Sequence, residues 1–252
     1  MNRYVKNLNR IEFVVTYACT GCCRHCAEGG HSASGAYIAP ETADRAVRDI
    51  AGRYAVASVM AFGGEPLLHP ETVCAAHAAA ADMGVLKRQL ITNGFFSRDR
   101  AGIRDVARRL AQHGTNDVLL SVDAFHQETI PLEPVRAFAA ELKGLGVCLR
   151  VHPAWVVDRN HHNPYNCRTA DILAEFEAMG ISQSEGNAIV PKGNALKYLS
   201  GYYDMSREYT DPYEDDPADI RAVCIDPGGN VLGGNIYETD ILEILERYTP
   251  EI

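Results

Sequence analysis

The 252-residue sequence lacks long apolar runs, a surplus of basic residues and any linker rich in glycine or serine. No apolar stretch approaches the roughly 20 residues that a transmembrane helix needs. The first ten residues contain no apolar segment of the kind that a secretory signal requires, so we expect no export signal. From these absences we expect a cytoplasmic protein that has no membrane partner.

The charge balance also excludes some classes of partner. Lys and Arg number 24 and Asp and Glu number 33, which gives a net charge of −9. Such a chain does not offer a general surface for nucleic acids or anionic membranes, although a local basic pocket stays possible. Hydrophobic residues make up 46% of the chain and charged residues 23%, which is typical of a folded globular protein.

Apolar strand-like runs alternate with amphipathic helical segments along most of the chain. Parallel βαβ units produce this alternation, and we count about six of them from Ile11 to Val190. We therefore expect an α/β core over residues 1–195. Residues 196–252 are expected to form an extension with a lid, a hairpin and a terminal helix, and not an independent domain. The tyrosines of this extension either pack over the core or form the lid, and packing is favoured; they are Tyr198, Tyr202, Tyr203, Tyr209 and Tyr213.

Three cysteines in one loop are the most informative motif. Cys19, Cys23 and Cys26 have the spacing Cys-x3-Cys-x2-Cys directly after a strand-like run. Four cysteines normally hold a 4Fe-4S cluster, so three leave one iron open to a substrate or cofactor. A second motif, Gly63-Gly64-Glu65, follows the next apolar run. Eight cysteines without an export signal favour metal ligands and buried thiols over disulfides.

Together the two motifs resemble the signature of the radical S-adenosylmethionine (radical SAM) superfamily, over roughly residues 10 to 195. The resemblance implies a partial (β/α)6 barrel and a 4Fe-4S cluster held by Cys19, Cys23 and Cys26. It also implies that the open iron binds S-adenosylmethionine. An electron then cleaves this cofactor to methionine and a 5′-deoxyadenosyl radical, which abstracts hydrogen from a peptide or small metabolite. A low-potential donor such as ferredoxin or flavodoxin would supply the electron, in an oxygen-poor setting.

The resemblance also implies roles for residues around the cofactor. The backbone of Gly63 and Gly64, with Glu65 nearby, would accept hydrogen bonds from the methionine ammonium group. His25 would contact the adenine through its backbone, and Val190 on the sixth strand would line it. Polar residues at the carboxyl ends of barrel strands are typical ligand contacts; here they are Asn93, Ser121 and Asp123, of which Ser121 and Asp123 are expected at the ribose or the methionine carboxylate.

Several residues have two interpretations. Arg150 either pairs with the cofactor carboxylate or faces out from the barrel. His126, after the fourth strand, either positions substrate or moves a proton, or is simply solvated. The loop with His161, His162 and Cys167 could bind metal, but a polar surface loop is favoured.

Two further segments resemble parts of peptide-modifying members. The run Pro191–Ala195 is similar to their Pro-x-Gly-Arg-Ala, with Asn194 in place of the arginine. Cys224–Val231 is similar to the hairpin that introduces an auxiliary cluster domain, yet no cysteine follows it. Cys74 and Cys148 are expected to be core thiols, so we expect a single cluster.

Two alternatives remain at this point. An activase that installs a glycyl radical on a partner enzyme would use the same chemistry. A non-catalytic structural metal site would need a fourth ligand, which His25 or Cys22 could supply. The second alternative gives the Gly-Gly-Glu motif no role.

Overall fold

The structure is a computed structural model that describes residues 2–30, 35–209 and 214–250. The predicted lid residue Tyr213 lies outside these ranges. Among the described residues, no helix combines the length and the apolar character needed to cross a bilayer.

A seven-stranded sheet forms the centre of the fold, and all of its pairings are parallel. Its strands in chain order are β1 (Arg10–Val14), β2 (Ser58–Phe62), β3 (Lys87–Thr92), β4 (Asp117–Leu120), β5 (Cys148–Val151), β7 (Ser182–Gln183) and β9 (Ala222–Ile225). In space the order is β7-β5-β4-β3-β2-β1-β9. The carboxyl ends of all seven strands therefore lie along one edge.

Helices connect successive strands, as parallel pairing requires. They are α1 (Pro40–Arg53), α2 (Pro70–Asp82), α3 (Arg100–Gln112), α4 (Leu132–Gly144), α5 (Pro164–Ala178), α6 (Gly193–Leu199) and α7 (Ile241–Arg247). Proline stands at the start of α1, α2 and α5, where its missing N–H costs no hydrogen bond. The side chains of Asp99 and Asn163 cap α3 and α5. This arrangement confirms the predicted α/β partial barrel.

The strands divide their side chains between two faces. Ile11 and Phe13 of β1 are fully buried in the main core, which fills the space between the sheet and the helices. The register pairs Glu12, which lies between them, with Met60 and with Cys224, so these side chains share the opposite face. That second face is the inner surface of the partial barrel, and it is the more polar of the two.

The fifth and sixth strands differ from the sequence-based expectation. The apolar run over residues 147–156 predicts a single strand. In the structure β5 ends before His152-Pro153, and β6 (Ala154–Trp155) continues beyond the break. The sixth strand, expected at Ile189-Val190, lies earlier: β7 joins the main sheet, and β8 (Asn187–Ala188) pairs in parallel with β6. Proline lacks the N–H that a ladder needs, which explains the break.

The C-terminal extension packs directly on the core. Its strand β9 pairs with β1 and completes that edge of the sheet. A short antiparallel hairpin, β10 (Asn230–Val231) and β11 (Gly234–Asn235), leads to α7. The Asn2 side chain donates hydrogen bonds to the carbonyls of Leu245 and Tyr248 at the end of this helix. The boundary at residue 195 stays a prediction.

Candidate cofactor site

The loop that follows β1 brings three cysteines to one cavity at the carboxyl edge of the sheet. Cys19, Cys23 and Cys26 all line this cavity of about 140 Å³, which we call the thiol cavity. Burial raises the pKa of the Cys19 thiol to about 11 and holds the pKa of Cys23 further above its usual range. Cys22 is exposed and lies outside the cavity. The loop thus separates three inward thiols from one outward thiol.

Gly63 and Gly64 line the same cavity, but their backbone contact is with the chain that enters the cysteine loop. Gly63 has a φ of 146°, and a Cβ there would come within 2.5 Å of the Thr16 carbonyl oxygen. A Cβ on Gly64 would come within 2.2 Å of the Ala18 carbonyl oxygen, and the Gly64 N–H donates to Thr16 O at 2.8 Å. Glycine is therefore required here for packing of backbone on backbone, whether or not a ligand is bound.

Glu65 is fully buried and turns away from the thiol cavity. Its carboxylate accepts hydrogen bonds from the Leu67 N–H, the Thr92 hydroxyl and the Asn93 N–H, at 2.9, 2.7 and 2.9 Å. Burial raises its pKa to about 7. The side chain fastens the end of β2 to the end of β3. Its predicted place near the methionine ammonium group stays a prediction.

Asn93 follows β3 and reaches the cysteine loop directly. Its Nδ2 lies 3.5 Å from Cys19 Sγ and 3.2 Å from the Thr20 hydroxyl. The backbone N–H of Asn93 donates a hydrogen bond to the Glu65 carboxylate. The structure thus brings Asn93 to the thiol cavity, in line with the expectation that the strand ends carry ligand contacts.

Asp123 and His126 form a buried pair after β4. His126 Nδ1 lies 2.8 Å from Asp123 Oδ2, and their side chains are 15% and 0% exposed. Asp123 also accepts from the backbone N–H groups of Phe125, His126 and Ala154, each at 3.0 Å. These donors and the neighbouring His25 and His126 rings keep the pKa of Asp123 well below its usual range. The carboxylate is therefore occupied by protein donors, although Asp123 also lines the strand-end cavity described below, and its role as a cofactor contact stays a prediction.

His25 packs its ring between two aromatic side chains. The centroids of Phe125 and His126 lie 5.0 and 4.8 Å from its own. Burial lowers its pKa to about 4. Its Nδ1 is buried and has no hydrogen-bond partner in the part of the chain that the structure describes. The sequence predicted a backbone contact at this position, whereas the structure shows an inward-facing side chain as well.

A second cavity of about 320 Å³ adjoins the first, and we call it the strand-end cavity. His25, Cys26, Ser121 and His126 line both cavities. Small-molecule sites in proteins span about 300 to 1,000 Å³, so its size suits a ligand. Val190 lines it from the segment after β8, close to its expected place.

The sequence analysis missed two polar residues of the strand-end cavity, His152 and Asn187. His152 directly follows β5, and its Nδ1 lies 2.7 Å from the Ser184 hydroxyl. The alternation of β5 could have placed it on the inner face, because Leu149 and Val151 occupy the core face. Asn187 lies on the two-residue strand β8, which no periodicity could reveal.

Arg150 lies on the inner face but does not line either cavity. Its Nη2 is 2.6 Å from Asp117 Oδ1 near the start of β4, at the opposite end of the sheet. Gln89 donates to the second oxygen of the same carboxylate at 2.6 Å. Both expectations for Arg150 are corrected: it neither faces out nor reaches the cofactor edge.

The run Pro191–Ala195 forms hydrogen bonds to the cysteine loop. Asn194 lacks the positive charge of the arginine that it replaces. Its Nδ2 instead donates to the carbonyls of Cys23 and Gly29, both at 3.1 Å. Its N–H donates to Cys26 O at 2.9 Å. The residue that departs from the resembled motif is thus a direct support of the loop.

The other singled-out residues lie away from these cavities. His162 Nδ1 and Cys167 Sγ are 3.7 Å apart in a separate pocket that His161 also lines. Cys224 lies on the inner face of β9, and Cys74 is buried as expected. Cys148 is exposed, which contradicts its expected place in the core.

Comparison with known families agrees with this geometry. The family model of the radical SAM superfamily matches residues 13–148, which is more than half of the chain. The chain belongs to the radical SAM superfamily. Members of this superfamily use a 4Fe-4S cluster and S-adenosylmethionine, so the predicted family and cofactors are confirmed. No curated protein matches the chain.

Solved structures of radical SAM proteins share the fold at low sequence identity. SuiB of Streptococcus suis, bound to the precursor peptide SuiA, is 13% identical with a TM-score of 0.61, and the match covers 97% of this chain and 65% of SuiB. Native anSMEcpe with bound AdoMet is 16% identical with a TM-score of 0.59, over 95% of this chain and 80% of that one. BtrN in complex with AdoMet and 2-DOIA is 14% identical with a TM-score of 0.50, over 95% and 82%. The chain therefore spans less than two thirds of SuiB.

Proposed function

We propose that this radical SAM enzyme holds its 4Fe-4S cluster through Cys19, Cys23 and Cys26 and acts on a peptide or small metabolite. The observation that carries the proposal is the convergence of these three thiols, out of eight cysteines, on one cavity. None of the three forms a disulfide. Cysteine thiolates are the ligands that iron–sulfur clusters take, and a bound metal replaces the thiol proton, so this donor set fits an iron–sulfur cluster.

When bound, the cluster supplies one electron to S-adenosylmethionine, whose cleavage yields methionine and a 5′-deoxyadenosyl radical that abstracts hydrogen from the substrate. The residues of the chain position the reactants. Asn93 orients the loop around Cys19 through its amide, and Glu65 fixes the Asn93 backbone in turn. The carbonyls of Gly63 and Gly64 are available at the cavity wall for the methionine ammonium group.

The strand-end cavity suits the adenosyl part of the cofactor and the substrate next to it. Ser121 and Val190 contribute a hydroxyl and an apolar surface to its wall. His126 is held at Nδ1 by Asp123, so Nε2 can donate or accept one proton at the junction of the two cavities.

A peptide is the favoured substrate. Two of the solved neighbours bind peptides: SuiB binds SuiA, and anSMEcpe binds the Cp18Cys peptide. The run Pro191–Ala195, which resembles that of peptide-modifying members, contacts the cysteine loop here. BtrN binds the small molecule 2-DOIA, which keeps a metabolite as the second candidate. We further propose a cytoplasmic, oxygen-poor setting and a low-potential ferredoxin or flavodoxin as the electron donor.

Anaerobic reconstitution with iron and sulfide tests the proposal. After reduction with dithionite in the presence of S-adenosylmethionine, we expect about four irons per chain and release of 5′-deoxyadenosine. Cys23→Ala should abolish both. Cys22→Ala is the matched control, because that thiol is exposed, and it should retain both. Equal loss in the two variants, or no cluster in the unaltered protein, would contradict the proposal.

A further inference from the structure

One cysteine and two histidines that line the thiol cavity form a set of possible metal ligands that the cluster proposal does not use together. One donor atom each from Cys23, His25 and His126 lies within 4.8 Å of the other two. Two of these residues come from the cysteine loop, and His126 begins a short 3-10 turn, His126–Glu128, after β4. Within residues 2–30, 35–209 and 214–250, no other such group of metal-binding side chains occurs.

The orientation of His126 suits a metal ligand. Its Nδ1 is 2.8 Å from Asp123 Oδ2, which leaves Nε2 as the free nitrogen. A carboxylate that holds the second nitrogen of a ligating histidine is a common arrangement at zinc sites, and it fixes both tautomer and ring orientation. Asp123 is itself held by three backbone N–H groups. The imidazole is therefore oriented before any ion arrives.

His25 and Cys23 supply the other two donor atoms of this group. The Nδ1 atom of His25 is buried and has no hydrogen bond among the described residues. A buried polar atom without a partner is costly, and a bound cation would satisfy it. The Cys23 side chain is only 6% exposed and packs in a small apolar cluster with Phe125 and Ile189. The site thus has polar donors on one side and an apolar wall on the other.

We propose that the cluster-free protein binds one Zn²⁺ ion through Cys23, His25 and His126. Cysteine thiolate and neutral imidazole are the ligands that Zn²⁺ takes in tetrahedral sites, and water fills the fourth position. On binding, the S–H bond of Cys23 breaks, its proton goes to solvent and a Zn–S bond forms. His126 binds the ion through Nε2 and keeps its Nδ1 contact with Asp123.

The consequence concerns how the cluster is assembled. Cys23 is also one of the three proposed cluster ligands, so Zn²⁺ and the cluster exclude each other. Zinc must leave before a cluster is assembled on the loop. This exclusion rests on the proposed function, whereas zinc binding itself does not.

Cobalt titration of the full-length, cluster-free protein tests the site, because Co²⁺ replaces Zn²⁺ and absorbs visible light. We expect one Co²⁺ per chain, tetrahedral ligand-field bands and the charge-transfer intensity of a single thiolate. Added Zn²⁺ should displace it. His25→Gln and His126→Gln should each weaken Co²⁺ binding at least about 10-fold, and Asp123→Asn about 10- to 100-fold.

Two controls separate this site from the three-cysteine set. His113→Gln changes an exposed histidine at the C-terminal end of α3 and should bind Co²⁺ as the unaltered protein does. Cys19→Ser should lose the iron–sulfur cluster and keep the single-thiolate cobalt spectrum. Circular dichroism of every variant confirms that it is folded.

The proposal is overturned if the spectrum shows three thiolates, or if His126→Gln binds Co²⁺ unchanged, because the ion would then lie on the cysteines alone. It is overturned equally if Cys19→Ser abolishes the cobalt bands. Failure to assemble a cluster in the unaltered protein would contradict the proposed function instead, and would leave the cobalt result standing.

Discussion

Glu65 and Asp123 are two fully buried carboxylates at the same edge of the sheet, and their surroundings drive their protonation in opposite directions. Glu65 accepts three hydrogen bonds from neutral donors, and burial raises its pKa to about 7. Asp123 accepts three from backbone N–H groups and pairs with His126, and its pKa stays well below the usual range. Burial is complete in both cases.

The difference shows what sets the charge of a buried acid in this fold. Hydrogen bonds from neutral donors are similar in number at the two sites and do not offset the cost of burial at Glu65. An imidazole beside the carboxylate does so at Asp123. The two residues have a common structural role, because each ties one strand end to the next around the thiol cavity. They differ in the charge of the carboxyl group that makes this connection.

Removal of Asp123 is expected to produce the largest effect. Asp123→Ala leaves three backbone N–H groups and the His126 ring without their acceptor in a buried site. We expect a loss of about 3 to 5 kcal/mol in the free energy of unfolding, measured by urea denaturation. Asp99→Ala, which removes an exposed helix cap, should cost only about 1 kcal/mol. Similar losses in both variants would show that Asp123 contributes no more to stability than an exposed helix cap.

The pH dependence of Glu65 comes next in size. Its folded pKa of about 7 lies above the ordinary glutamate value of 4.5, so the folded state retains a proton that the unfolded state loses. The resulting loss in the free energy of unfolding is absent below pH 4.5, grows as the pH rises, and reaches about 3 kcal/mol above pH 7. Urea denaturation of the cluster-free protein from pH 5 to 8 should therefore show a falling stability that Glu65→Gln lacks.

Asp123 supplies the opposite control for that pH series. Its folded pKa is depressed, so it stabilises the fold above the unfolded pKa of about 4 and loses that contribution as the pH falls below it. Asp123→Asn should therefore leave the slope between pH 5 and 8 intact. If Glu65→Gln keeps the slope as well, the contrast between the two carboxylates does not hold.

Gly64→Ala tests the backbone contact next to Glu65. The added Cβ would lie 2.2 Å from the Ala18 carbonyl oxygen and must displace the chain that enters the cysteine loop. We expect a loss of about 1 to 3 kcal/mol and a lower iron content after reconstitution. Gly144→Ala in α4, where a Cβ would meet nothing within 4 Å, is the matched control and should not destabilise the protein.

The smallest effect is expected for Asn194, an uncharged side chain that connects the run Pro191–Ala195 to the cysteine loop. Asn194→Ala removes two hydrogen bonds to the Cys23 and Gly29 carbonyls and should cost about 1 to 2 kcal/mol. Hydrogen exchange should be faster in the cysteine loop and unchanged in α3. Asn160→Ala, on an exposed loop, should have no effect on either. Unchanged hydrogen exchange in Asn194→Ala would show that the Asn194 side chain does not stabilise the cysteine loop.

The fold could be predicted well from the sequence, because alternation of strand and helix patterns is a local signal. Strands β1 to β4 lie within a few residues of the strand-like apolar runs at 11–16, 59–62, 87–92 and 118–122. The sequence analysis failed at β6, β7 and β8, which have two residues each and too short a pattern to detect. It also did not foresee that β9 would extend the sheet beyond β1, since pairing between distant segments leaves no mark on local periodicity.

The sequence by itself determined the family, the cofactors and the three inward cysteines, because ligand spacing within one loop is a property of consecutive residues. Only the tertiary structure decided which polar side chains reach the cavities. Glu65 turns to donors at the end of β3, and Asp123 lines the strand-end cavity while it accepts from the Ala154 N–H. Arg150 pairs with Asp117 at the far end of the sheet. A side chain's partner depends on residues far away in the chain. That information exists only once the strands are assembled.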